Sequence, residues 1–160
     1  IFENQVYPGV EKLLADLRDS GKKLAVASSK PQVYVEQILE HFGLRVYFDV
    51  VVGSGLDGTR TKKEEVVEEA LRCLLPEALF QKMTDSKHGE AYNRTREEYN
   101  RTKYSSVAMV GDRRFDVEGA KEYCITSIAV SYGYAAPGEL DEAGADVIVE
   151  TVKELGDVLR

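Results

Sequence analysis

The chain has 160 residues, 43% of them apolar, and sets Lys+Arg 21 against Asp+Glu 28 for a net charge of −7. That length suits one domain burying roughly 70% of its unfolded surface, and an acidic chain without a basic stripe speaks against nucleic acid as a partner. Cys73 and Cys124 stand too far apart for metal-type spacing, and nothing demands an oxidising compartment. With no signal peptide and no apolar run near the roughly 18 residues of a membrane span, a soluble, cytoplasmic protein is expected.

The predicted elements alternate. Ile1 to Tyr7 reads as extended, and Pro8-Gly9 turns into a helix whose stripe is Val10, Leu13, Leu14 and Leu17. Ser20-Gly21 ends it, and Leu24-Ala25-Val26-Ala27 is a short apolar run of buried-strand type. At its carboxyl end stand Ser28, Ser29, Lys30 and Pro31. Hydroxyls, free N–H groups and a helix start make a phosphate cradle; a Ser N-cap with Pro at the first helical position explains the same letters. The next helix carries Val35, Ile38, Leu39 and Phe42, with His41 in its last turn, where a cation suits the helix dipole.

Phe48 to Val52 is a second strand, followed by the polar loop Gly53 to Thr61. Lys62-Lys63 then open a helix with Val66, Val67, Ala70, Leu71 and Leu74 inward. A lysine at a helix start opposes the dipole, which points to something anionic beside it or to two solvated lysines before Glu64-Glu65. Between about 76 and 106 apolar periodicity is lost, and Tyr92-Asn93-Arg94-Thr95 is echoed seven residues later from Tyr99. This segment reads as an insertion, an exposed helix or a projecting loop.

The stretch Val107-Ala108-Met109-Val110-Gly111-Asp112-Arg113-Arg114-Phe115-Asp116 organises the rest. It predicts a buried strand, a sharp turn at Gly111, and a helix from about Arg114. Asp112 then falls past a strand's carboxyl end, the edge where open parallel sheets bind ligands, and Asp116 lies one helical turn on. Two such carboxylates form a hard-oxygen site suited to Mg²⁺; they also suit a cap and a favourable charge at a helix N-terminus. A helix through Val117, Ala120 and Tyr123, strand Ile125–Val130, the turn Ser131-Tyr132-Gly133-Tyr134, a short helix after Pro137, strand Asp146–Val149 and a helix through Val152, Leu155, Val158 and Leu159 complete the chain. Strands alternating with helices predict an α/β fold, a parallel sheet covered on both faces, in a single domain over 1–160.

The order of polar clusters resembles the haloacid dehalogenase-like (HAD) phosphohydrolases. Tyr7-Pro8-Gly9-Val10, Ala27 to Pro31, Gly53 to Arg60 and Ser131 to Tyr134 are similar to the phosphoglycolate phosphatase branch. The resemblance implies a Rossmann-like (HAD-like) core and a phosphomonoester hydrolase acting through an aspartyl-phosphate. It implies that Ser28 and Ser29 contact the phosphoryl group, that Lys63 rather than Lys62 neutralises it, and that Asp112 and Asp116 serve Mg²⁺. Ser28 and Lys63 are thus the expected catalytic pair.

One departure is serious. The family's nucleophile opens an Asp-x-Asp-Gly-Thr motif, and the sequence holds none: Leu56-Asp57-Gly58-Thr59 copies the tail, with Gly55 where the nucleophile would stand. The chain therefore looks like the C-terminal part of a phosphatase, incomplete at the N-terminus, lacking nucleophile strand and cap and inactive alone. Expected partners are a small phosphorylated metabolite and either the missing N-terminal segment or a second copy, without nucleic acid or membrane. A non-catalytic phosphate- or metal-binding module, or an assembly module, on the same core is the alternative. A receiver-type domain ranks last, because its acidic pair comes early in the chain and Asp112 and Asp116 come late.

Overall fold

The computed structural model describes residues 6–60, 62–88 and 104–160. The chain divides into two compact units, one of residues 1–75 with 152–160 and the other of 76–151.

In the first unit, α1 (Val10–Asp19) follows Gly9, whose φ of 88° supplies the left-handed turn that starts the helix. Leu13 and Leu17 are its buried face. Next come β1 (Ala25–Pro31), α2 (Gln32–His41), a 3-10 turn (Arg45–Tyr47), β2 (Val50–Ser54) and α3 (Lys63–Leu74). The last helix, α7 (Val152–Leu159), belongs to this unit and packs on α1, where Arg160 pairs with Asp16 at 3.0 Å. β1 and β2 run parallel, with Ala25, Val26 and Ala27 opposite Val50, Val51 and Val52. Val52, Val66 and Ala70 form a core against which Ala27 and Val50 pack.

The second unit contains α4 (Glu77–His88), β3 (Tyr104–Gly111), α5 (Arg114–Glu122), β4 (Ile125–Val130), α6 (Glu139–Ala143) and β5 (Val147–Val149). Its sheet is parallel in the order β3-β4-β5. Val117, Ala129 and Leu140 form a core with Ala135, Ala143 and Ala145 around it. The buried Ser127 fixes the entry to β5: its backbone N–H donates to Asp146 Oδ2 at 2.8 Å, and its Oγ accepts from the Asp146 N–H at 2.9 Å. Such mutual satisfaction is what a buried hydroxyl requires.

The expected α/β class is present, with all strand pairs parallel. The strands fall into two sheets, and among the described residues β1 pairs with β2 alone and β3 with β4 alone. The segment read as an insertion is partly regular: α4 is a helix with Met83 fully buried and Leu79 and Phe80 half-buried, which anchors a stretch whose periodicity is weak. β3 also begins at Tyr104, earlier than the apolar run suggested. The repeated Tyr-Asn-Arg-Thr motifs and the extended stretch before Val6 lie outside the described residues.

Candidate functional site

Ser28, Ser29 and Lys63 fall in the first unit, Asp112 and Asp116 in the second. In the first, regular pairing of β1 stops after Ala27 and resumes at Pro31 opposite Ser54, so β1 uses four steps where β2 uses two. Ser28, Ser29 and Lys30 therefore bulge from the ladder, with Ser29 and Lys30 exposed. The cap reading of these serines is corrected: α2 starts at Gln32 with Pro31 as its N-cap residue and no side-chain cap bond. Ser28 Oγ instead accepts from the Lys30 N–H at 3.2 Å, closing a local turn. Pro31 is itself extended just before the helix, so the hydroxyls stay in the bulge of β1.

Lys63 is the first residue of α3, and its ammonium donates to the Ala27 carbonyl at 2.8 Å, one residue before Ser28. The cation that opposes the helix dipole is thus drawn to β1 at the last residue before its bulge. Sequence reasoning missed the residue that shapes this bulge. Gln32 Oε1 accepts from the Gly53 N–H at 2.5 Å, and its Nε2 donates to the Val51 carbonyl at 2.9 Å. A side-chain amide here does the work of a strand backbone. Gly53 is required beneath it, since a Cβ would lie 2.6 Å from the Lys30 carbonyl oxygen.

The imitation motif is a closed turn. Asp57 Oδ1 accepts from Thr59 Oγ1 at 2.7 Å and from the Thr59 N–H at 3.1 Å, and the Gly55 N–H donates to the Thr59 carbonyl. These bonds, led by the Thr59 hydroxyl, hold the Asp57 carboxyl below its ordinary range. Asp57 is accounted for as a turn residue.

In the second unit β3 ends at Gly111 and α5 begins at Arg114, so Asp112 and Arg113 form the turn. Asp116, buried at the third helical position, accepts through Oδ2 from the backbone N–H groups of Asp112 at 3.1 Å and Arg113 at 3.2 Å. It satisfies donors that a helix start leaves unpaired. A Cβ at Gly111 would collide with the Asp116 carboxylate, and one at Gly133 with that of Asp112. The two glycines open the space in which the two acids sit.

Asp112 is held differently. Its Oδ2 accepts from the Tyr134 N–H at 2.9 Å, and among the described residues its Oδ1 has no hydrogen bond. That oxygen, on a half-buried carboxylate at a strand end, suits a hard cation. No group of three or more His, Cys, Asp or Glu side chains gathers among the described residues. The Asp112 carboxylate is the kind of hard-oxygen donor that fits Mg²⁺, an ion that takes one or two protein carboxylates and completes its shell with water and phosphate. Beside it, Glu139 Oε2 accepts from Arg113 Nε and from the Arg114 N–H, both at 2.9 Å. The hydrogen bond that Arg113 donates to Glu139 keeps the Glu139 carboxyl below its ordinary range and raises the Arg113 guanidinium above its own.

The model of haloacid dehalogenase-like hydrolases matches residues 1–123. The chain belongs to this family. Among solved structures similar to this HAD chain is a predicted phosphatase from Clostridium acetobutylicum, 41% identical with a TM-score of 0.75; the match covers 98% of this chain and 60% of that one. Tyrosine-protein kinase PtkA of Mycobacterium tuberculosis is 34% identical over 98% of the chain and 45% of its own length. A 5'-nucleotidase of Pseudomonas aeruginosa is 34% identical over 88% of the chain and 52% of its own length. The chain thus spans about half the length of these curated relatives. No described helix is long and apolar enough to cross a membrane.

Proposed function

We propose that this HAD chain is the phosphate- and metal-handling portion of a Mg²⁺-dependent phosphomonoester hydrolase, of phosphoglycolate phosphatase or nucleotidase type. The observation that carries the reading is the Asp112 carboxylate, pinned through Oδ2 just past the end of β3, with Oδ1 making no hydrogen bond among the described residues. In this reading Ser28, with Ser29 beside it, donates to the phosphoryl oxygens, and Lys63 neutralises their charge. Fixed donors and cations are what phosphoryl transfer requires of a protein. Asp112 would hold Mg²⁺, which when bound would supply positive charge to anionic oxygens. Asp116, whose Oδ2 is committed to backbone N–H groups, supports the loop. A carboxylate nucleophile would form the aspartyl-phosphate that water then hydrolyses, and the 160 residues contain no Asp-x-Asp-Gly-Thr motif to supply it. The substrate is a small phosphorylated metabolite, and the partner is a segment bearing that nucleophile or a second copy of the chain.

The test is hydrolysis of an aryl phosphate in Mg²⁺. These residues alone should show no turnover above Asp112→Asn. Joined behind a segment carrying an Asp-x-Asp-Gly-Thr strand and cap, they should hydrolyse the ester and lose that activity in Asp112→Asn and Lys63→Ala. A folded, active chimera indifferent to both substitutions would overturn the assignment. Activity of the unjoined chain that vanishes in Asp112→Asn would mean another carboxylate attacks phosphorus, with Asp57 the first to examine.

A further inference from the structure

The Asp112 carboxylate is aimed by backbone that lies far from it in sequence. Tyr134 donates its N–H to Oδ2 at 2.9 Å, and Gly133 lies so close that a Cβ there would collide with the carboxylate. The Ser131–Gly138 turn has no strand or helix of its own to hold these two residues in place. What ties its far end down is Glu139. Oε2 takes Arg113 Nε and the Arg114 N–H, both at 2.9 Å, and Oε1 takes the Ala136 N–H at 3.4 Å. The Glu139 side chain is only 13% exposed, whereas its Arg113 partner is 43% exposed. One carboxylate thus clips the turn to the residues immediately after Asp112. The result is a closed ring: Asp112 to Tyr134, along the turn to Glu139, and back to Arg113 and Arg114.

We propose that Glu139 is a positioning residue for Asp112, setting which carboxylate oxygen is presented to a metal ion. The proposal rests on the reading of Asp112 as a Mg²⁺ ligand. Partners one step removed from a metal orient the ligand itself, and losing one typically weakens metal binding by 10–100-fold. Glu139 would act in this way through Tyr134, and also through the backbone of Arg114. A residue serving only as a surface clip would alter melting and leave metal affinity alone.

The experiment is a Mn²⁺ titration of the whole chain by electron paramagnetic resonance, with hydrogen exchange at the Tyr134 amide as a second readout. The proteins compared are wild type, Asp112→Asn, Glu139→Ala and Glu139→Gln, the last keeping an oxygen acceptor and shape without the charge. Glu139→Ala should weaken Mn²⁺ roughly tenfold and speed exchange at Tyr134, with Glu139→Gln between it and wild type. If Asp112→Asn weakens Mn²⁺ while both Glu139 variants bind as wild type does, the positioning role is overturned and the metal reading stands. If Asp112→Asn binds Mn²⁺ as wild type does, the metal reading fails and the positioning role with it. Should Glu139→Ala not fold, Glu139→Gln decides: unchanged affinity and unchanged Tyr134 exchange overturn the proposal.

Discussion

Removing the Asp116 carboxylate probes the loop on which the site depends. In Asp116→Ala the N–H groups of Asp112 and Arg113 lose their acceptor. Hydrogen bonds to a charged group contribute about 1.5–3 kcal/mol each. At 3.1 and 3.2 Å these two sit at the long end of the range, so about 1.5 kcal/mol apiece is the fair figure. The exposed side of the turn lets water recover part of that, which leaves a loss of about 2 kcal/mol. Asp116→Asn keeps an acceptor and should lose about 1 kcal/mol. Urea unfolding followed by circular dichroism reads both, with an unchanged slope showing that stability rather than compactness has moved. An Asp116→Ala protein within about 0.5 kcal/mol of wild type would refute the claim that this carboxylate organises the turn.

Gly111→Ala places a methyl group into the Asp116 carboxylate and should cost about 1–3 kcal/mol, visible as a lowered Tm. Val66→Ala removes methyls from the fully buried centre of the first unit's core; about 2–3 kcal/mol should be lost, again by urea unfolding. Of the two cysteines only Cys73 is exposed, and partial desolvation of its thiol together with the Glu69 hydrogen bond pushes its pKa up. Native Cys73 should therefore react with Ellman's reagent at pH 8 more slowly than in urea, Cys124 should stay protected, and Glu69→Gln should speed Cys73. The Asp57 and Glu139 carboxyls both lie below their ordinary values, held by Thr59 and Arg113 respectively. Their contributions are complete above about pH 5 and fade as pH falls through the folded-state pKa. Carboxyl carbon shifts followed by NMR should place both midpoints below those of the unfolded chain, and midpoints at or above the unfolded values would contradict the hydrogen bonds.

What was legible in the sequence is what short range decides. The stripe of Val10, Leu13, Leu14 and Leu17 needs only helical periodicity, and α1 occupies Val10–Asp19. Gly111-Asp112 does mark a strand end, although Gly111 is the last strand residue and is needed for the room it leaves the Asp116 carboxylate rather than for a turn of its own, and α5 starts at Arg114 as the spacing of the two acids implied. The extra residues of β1 escaped notice because Ser28 to Lys30 read equally well as a cap, and only the register against β2 shows them bulging. Gln32 and Glu139 escaped for a related reason. Their partners lie 21 and 25–26 residues away in the chain, and a lone Gln or Glu at a helix start carries no mark of a distant contact. Met83 is similar: a buried side chain on a largely polar helix leaves little periodic trace.

Ser28, Ser29 and Lys63 are proposed to handle a phosphoryl group, and Asp112 a metal ion. Titration of the ¹⁵N-labelled chain with orthophosphate, with and without Mg²⁺, tests this most directly. The account predicts that the amides of Ser28, Ser29 and Lys30 shift with phosphate, that those of Asp112 and Tyr134 shift with Mg²⁺, and that Lys63→Ala and Asp112→Asn abolish the first and second responses respectively. Responses confined to other residues, or unchanged in both variants, would contradict it.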